Sequence, residues 1–139
     1  KRQGTGGNIV VISSKNVFDP GAAFGAYSAS KAGAHQISKI AALELAELGV
    51  RVNLVNPDAI FGDEEIPSKL WELIGPERMK SRGLDPQGLR EYYRQRNLLK
   101  VPVTAEHVGN AVVFFASEGT PTTGATLPVD GGVPAAFPR

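Results

Sequence analysis

Two β-branched apolar runs, set on either side of a long stretch of helical period, constrain this chain more than any other feature. Asn8–Ser13 reads Asn-Ile-Val-Val-Ile-Ser, and Val50–Val55 is β-branched at Val50, Val52 and Val55. A continuous run of this kind is what a strand buried on both faces of a parallel sheet carries. Between them, Ala26–Leu48 places Ala29, Ala32, Gly33, Ile37, Ile40 and Leu48 at helical spacing, with Lys31, Lys39, Glu44 and Glu47 alongside. Gly49 is the stop, and the second strand follows at once. The spacing therefore predicts a βαβ unit.

The rest of the chain extends that unit. Ser14–Gly25 carries Asn16, Asp19, Pro20 and Gly21, which is loop chemistry, and Pro57–Arg82 is broken by Pro67, Gly75 and Pro76, so short helices are expected there. Asp85-Pro86 fits a helix start continuing through Leu89–Arg96, and Thr104 is an N-cap for a helix running through Ser117. After the turn at Gly119–Gly124, Thr126–Val129 is a final strand, parallel beside the second. One α/β unit over residues 1–139 is expected: part of a doubly wound parallel sheet flanked by helices.

Composition excludes several classes. With 15 Lys+Arg against 14 Asp+Glu, interleaved, the net charge of +1 gives no field that argues for nucleic acid. The longest apolar run, Ala111–Ala116, is far below the roughly 18 residues a membrane span needs. No cysteine is present, so disulfides and thiolate sites are out, and two histidines, His35 and His107, are too few for most metal cages. No metal is expected, and His35 reads as a surface or interface residue. Glu64 and Glu65 read as solvated loop acids, and Arg90, Arg94 and Arg96, alternating with Glu91, as an exposed helix face.

The chemistry concentrates in Ser14, Tyr27 and Lys31. Tyr27 and Lys31 are four apart and stack on one helix face. A phenol is ordinarily a poor acid or base at neutral pH, but a nearby ammonium favours the phenolate and makes it a usable proton carrier. Ser14 leaves the end of a buried strand, where a parallel sheet places its ligands, and its hydroxyl could hold a substrate oxygen against the phenol. Such a trio suits proton transfer coupled to hydride transfer at an alcohol or carbonyl.

Asn8–Ser14, then Ala26-Tyr27-Ser28-Ala29-Ser30-Lys31-Ala32-Gly33, then Gly49–Asn53, then Val129-Asp130-Gly131-Gly132 resemble, in order and spacing, the C-terminal half of a short-chain dehydrogenase/reductase. More narrowly, Asn56-Pro57-Asp58-Ala59, Glu91–Arg96 and the ending Ala135–Arg139 resemble the dehydrogenase domain of bifunctional rhamnulose-1-phosphate aldolase/alcohol dehydrogenase proteins. The resemblance implies a cytoplasmic NAD- or NADP-dependent enzyme acting on a small alcohol or aldehyde such as lactaldehyde. It implies Tyr27 as general acid/base, Lys31 as the residue that favours its phenolate and holds the nicotinamide ribose, and Ser14 as the group orienting the substrate. Pro57 and Ile60 are implied as further cofactor contacts, and Trp71 as a wall of the substrate pocket. Asp58 and Gly62 depart from the family pattern, which has Gly and Thr there.

The glycine-rich turn that cradles the pyrophosphate in this family has no counterpart here. Gly4-Thr5-Gly6-Gly7 precedes a strand, the wrong context. The isolated chain is therefore expected to be nearly inactive, with the Asn8–Ser13 strand left at an open, apolar sheet edge. A non-catalytic alternative is an assembly fragment: the implied homo-oligomer would form through helix 26–48, where Ala29, Ala32, Gly33 and Ala41 permit close approach unless that face packs on its own sheet. Ser28-Ala29-Ser30-Lys31 also matches the Ser-x-x-Lys of penicillin-recognising hydrolases, but no Ser-Asp-Asn or Lys-Thr-Gly accompanies it.

Overall fold

The computed structural model describes residues 2–117 and 119–137. Three parallel strands, β1 (Gly7–Ile12), β2 (Val50–Pro57) and β3 (Thr126–Val129), form one sheet in the order β1-β2-β3. Ile9 pairs with Val52 and Ile12 with Val55, while Val55 pairs with Leu127. Four helices connect and flank them: α1 (Gly25–Leu45), α2 (Lys69–Arg82), α3 (Pro86–Arg96) and α4 (Ala105–Ala116). The βαβ unit and the parallel final strand are as the patterning predicts, except that α1 stops at Leu45 and Ala46–Leu48 continues as a 3-10 turn. Pro128 sits on the edge strand, where its missing N–H costs least.

The core forms where β2 meets α4. Val55, Val108, Ala111 and Phe115 are buried together, with Val10, Leu127 and Val129 packed against them. Thr104 caps α4 as expected: its hydroxyl accepts from the His107 amide, and His107 Nδ1 accepts from the Thr104 amide. That reciprocal bond is the role of His107. Asp85 caps α3, accepting from the Gly88 amide at 2.6 Å, with Pro86 at the first helical position.

Three expectations need correction. β1 is not buried on both faces: Ile9 and Ile12 are each 42% exposed, because the strand is the outer one of the sheet among the described residues. Pro57–Arg82 contains one helix of 14 residues, not short pieces, with Pro76 inside it. Gly75 makes this possible, since the clash that bars an αR conformation before proline involves a Cβ that Gly75 lacks. His35 is 4% exposed and packs edge-on against Phe18, not at the surface.

Helix α1 settles against β2 through His35, Ser38 and Ala42. Ala29, Ala32, Gly33, Ile37, Ile40 and Leu43 are exposed on its other side, and Ala41 is half-buried, so most of the small-residue face does not pack on the sheet. No described helix is long and apolar enough to cross a membrane. Pro138 and Arg139, which end the Ala135–Arg139 stretch, lie outside the described residues.

Candidate active site

Strand β1 is followed by Ser13 and Ser14, both buried, and the backbone turns at once into a short 3-10 segment, Lys15–Val17. Ser14 caps that segment, its hydroxyl accepting from the Asn16 amide at 3.2 Å. Its own hydroxyl proton remains to be donated. Tyr27 and Lys31 lie one turn apart on the first half of α1, with the Lys31 ammonium 5.8 Å from the Tyr27 ring centre. Two bonds fasten this pair to the strand end: Lys31 Nζ donates to the Ile12 carbonyl at 3.1 Å, and Ser13 Oγ donates to the Lys31 carbonyl at 3.4 Å. The phenol ring is held edge-on by Phe24 at 5.5 Å.

A cavity of about 780 Å³ opens at this end of the sheet. Ser14, Tyr27, Lys31, Pro57 and Ile60 all line it, so the five residues singled out from sequence meet around one space. Trp71 lines it too, stacked on Phe61 at 4.2 Å and edge-on to Tyr93 at 5.0 Å. Pro57 and Ile60 offer an apolar wall for a planar ring. Lys31 Nζ has three donors and gives one to Ile12, leaving two for ligand hydroxyls. These residues fit the nicotinamide and ribose end of a dinucleotide. Among the described residues no strand–glycine–helix turn is present to hold its pyrophosphate.

Several cavity residues were not foreseen. Asp58, after β2, is 5% exposed at its side chain and lies 3.5 Å from Arg96. Burial pushes its carboxyl above the usual carboxylate range, and the attraction of Arg96 and then Lys15 offsets this only in part. Lys15 is itself buried, paired with Asp19 at 2.5 Å. From α2, Trp71, Ile74, Arg78 and Arg82 face the cavity at spacings of three, four and four. That stripe is visible in the sequence, but Gly75-Pro76 falls in its middle and reads as a break.

The remaining expectations divide. Arg94 makes a 2.6 Å pair with Glu91 on the outside of α3, and this hydrogen bond holds the Glu91 carboxyl down at about 2. Arg96 instead turns inward to Asp58, departing from the exposed-face expectation. Arg90 lines a separate cavity of about 390 Å³ with its guanidinium 5.1 Å from Phe61. Glu64 and Glu65 are exposed, and no group of three His, Asp or Glu able to hold a metal occurs among the described residues. The Ser28 hydroxyl is buried without a partner while Lys31 bonds Ile12, so the Ser-x-x-Lys pairing required for an acyl-enzyme does not form.

Comparison with known proteins gives these features a context. A family model described as short chain dehydrogenase matches residues 1–68. The chain is 41% identical over 140 residues to the uncharacterized oxidoreductase YuxG of Bacillus subtilis, covering 100% of this chain and 20% of that protein. It is 36% identical over 142 residues to an uncharacterized oxidoreductase of Schizosaccharomyces pombe, covering 99% of this chain and 48% of the relative. Among solved structures, an actinorhodin polyketide ketoreductase with NADPH superposes with a TM-score of 0.81 at 25% identity, over 95% of this chain and 48% of the other. The chain thus spans half or less of each of these three proteins.

Proposed function

We propose that this chain, related in sequence and fold to the short-chain dehydrogenases, is the catalytic half of an NAD- or NADP-dependent oxidoreductase that interconverts an alcohol and a carbonyl. The observation that carries the reading is the convergence of Ser14, Tyr27 and Lys31 on one cavity, beside the apolar wall of Pro57 and Ile60. Ser14 donates its hydroxyl proton to the substrate oxygen and fixes it near the phenol. Tyr27 takes the hydroxyl proton as the alcohol is oxidised and returns it in reduction, while the Lys31 charge favours the phenolate. Lys31 also binds the ribose hydroxyls with its two spare donors. A nicotinamide held there by Lys31, Pro57 and Ile60 would supply the hydride acceptor or donor for the carbinol carbon.

The bifunctional aldolase/dehydrogenase kind is the finer reading. It is favoured by the YuxG match, which spans a fifth of that relative against about half of the Schizosaccharomyces pombe oxidoreductase, so YuxG carries much more chain than a dehydrogenase needs. On that reading the substrate is a small hydroxy-carbonyl compound of the lactaldehyde type, the enzyme is cytoplasmic, and these residues alone are nearly inactive for want of a pyrophosphate cradle. The exposed Ala29, Ala32, Gly33, Ile37, Ile40 face of α1 favours assembly with a second copy.

The decisive experiment is Tyr27→Phe in the intact protein, followed by NAD(P)-linked oxidation of short alcohols and by dinucleotide binding. Turnover should fall at least a hundredfold with the cofactor Kd within about threefold. Tyr92→Phe removes another phenol at the same cavity and should cost far less. Equal losses in the two variants would sink the assignment.

A further inference from the structure

The charges around the Tyr27 cavity do not balance. Five cationic side chains line it, Lys15, Lys31, Arg78, Arg82 and Arg96, against two carboxylates, Asp19 and Asp58. Both carboxylates are engaged, Asp19 by Lys15 and Asp58 by Arg96. Arg78 and Arg82 have no acid within ion-pair distance among the described residues. They sit four apart on the same face of α2, where like charges repel. No described carboxylate offsets that repulsion. Arg94 shows the ordinary alternative, a 2.6 Å pair with Glu91 on its own helix.

Aromatic faces hold both guanidiniums in place. Arg78 lies 4.1 Å from the Phe24 ring centre and donates one N–H to the Ala22 carbonyl at 3.1 Å. Arg82 lies 5.0 Å from the Tyr92 ring and donates to its neighbour Ser81 Oγ at 3.2 Å. A guanidinium stacked on a ring keeps its in-plane N–H edge available, and that planar fork matches the oxygens of a carboxylate or phosphate. Phe24, which carries Arg78, is also the ring that abuts Tyr27 at 5.5 Å. The guanidinium is thus one aromatic ring away from the phenol, a separation that a small molecule spans.

We propose that Arg78 and Arg82 form a subsite for an anionic group, carboxylate or phosphate, on the substrate whose carbon reacts at Tyr27. The inference rests on the reading of Tyr27 given above and departs from an uncharged lactaldehyde-type substrate: among small hydroxy and carbonyl compounds, the cavity selects those bearing a negative charge a few bonds from the reacting carbon. Arg96, already paired with Asp58, adds to the field without contacting the ligand.

The test is an isothermal titration of the intact protein with inorganic phosphate and, separately, with acetate. Wild type and Tyr27→Phe should bind with the same affinity, Arg78→Gln/Arg82→Gln should bind at least tenfold more weakly, and Arg90→Gln, at the other cavity, should match wild type. Arg82→Gln alone keeps the Arg78 bond to Ala22 and should give an intermediate loss, which covers the case in which the double variant misfolds. The anion bound more tightly tells phosphate from carboxylate. Glycerol 3-phosphate and glycerate, each set against glycerol, should then show at least a tenfold advantage in kcat/KM for the matching anion.

Binding of neither anion by wild type, unchanged affinity in the folded arginine variants, or a preference for glycerol would each overturn the proposal. Arginine-dependent anion binding in a protein that oxidises no alcohol would leave the subsite standing and remove the Tyr27 reading. Turnover that depends on Tyr27, with anion binding indifferent to both arginines, would do the reverse.

Discussion

Adding one methyl group at Gly131 should damage this fold far more than adding it at Gly124, and the structure gives the size of the difference. Both glycines have left-handed backbone, with φ +67° and +73°. A side chain there costs about 1 kcal/mol from backbone sterics alone. At Gly124 that is the whole cost, because the nearest atom to an added Cβ is Ala42 Cβ at 3.8 Å, ordinary contact. At Gly131 the Cβ would lie 2.6 Å from both Cγ and Oδ1 of Asn97. Asn97 is 2% exposed and cannot swing away freely, since its amide donates to the Val101 carbonyl at 2.8 Å and accepts from the Val101 amide at 3.2 Å.

Displacing Asn97 forfeits two bonds worth about 1 kcal/mol each, and keeping it imposes an overpacking cost of about 1–3 kcal/mol. Gly131→Ala should therefore exceed Gly124→Ala by about 2–3 kcal/mol, on the order of a hundredfold in an equilibrium constant. The assay is hydrogen exchange of the Asn53–Val55 amides in the intact protein, on the central strand β2, whose opening requires this unit to unfold. Equal losses of protection in the two variants would refute the reasoning.

Three further outcomes follow from the same structure. Burial, reinforced by Lys39, holds His35 below the usual histidine range, so the folded chain favours the neutral ring and loses stability as pH falls below about 6.5. His35→Met should abolish that acid-side loss in thermal melts between pH 7 and pH 5, and parallel curves would contradict it. Asp58 is shifted the other way: the folded state holds its proton more tightly, so its contribution to stability declines as pH rises from about 4 through the raised value. The melting temperature of wild type minus that of Asp58→Asn should accordingly fall with rising pH, and a rise would mean that the Arg96 attraction outweighs burial. Thr104→Ala removes the hydroxyl that caps α4 and should cost about 1 kcal/mol in chemical unfolding, with no change expected in dinucleotide affinity.

Legibility varied with how local the cause was. The strands, α1 and the two capped helices could be read because periodicity, Thr104, Asp85-Pro86 and Gly49 act within a few residues of where they are written. Ser14, Tyr27 and Lys31 were legible because strand end and helix face fix them by spacing. What failed depended on contacts distant in sequence. His35 reads as a polar residue on an exposed stretch, but β2, the 3-10 segment and Phe18 close over it. Helix α2 was hidden by a proline whose preceding residue happens to be the one that tolerates it, and with the helix went Arg78 and Arg82. Asp58 and Arg96 are 38 positions apart, and nothing in either neighbourhood announces their pairing.

The anchoring of Lys31 has a mechanical side. Its ammonium is tied to the carbonyl of Ile12, the last residue of β1, and Ser14 follows two residues later. Two of the three residues proposed for the site are thus referenced to a strand whose far edge has no neighbour among the described residues. Fraying of that strand from β2 would slacken lysine and serine together while leaving Tyr27 on its helix. On the function proposed above, whatever pairs with the open edge would act as a splint, steadying Lys31 and Ser14 together.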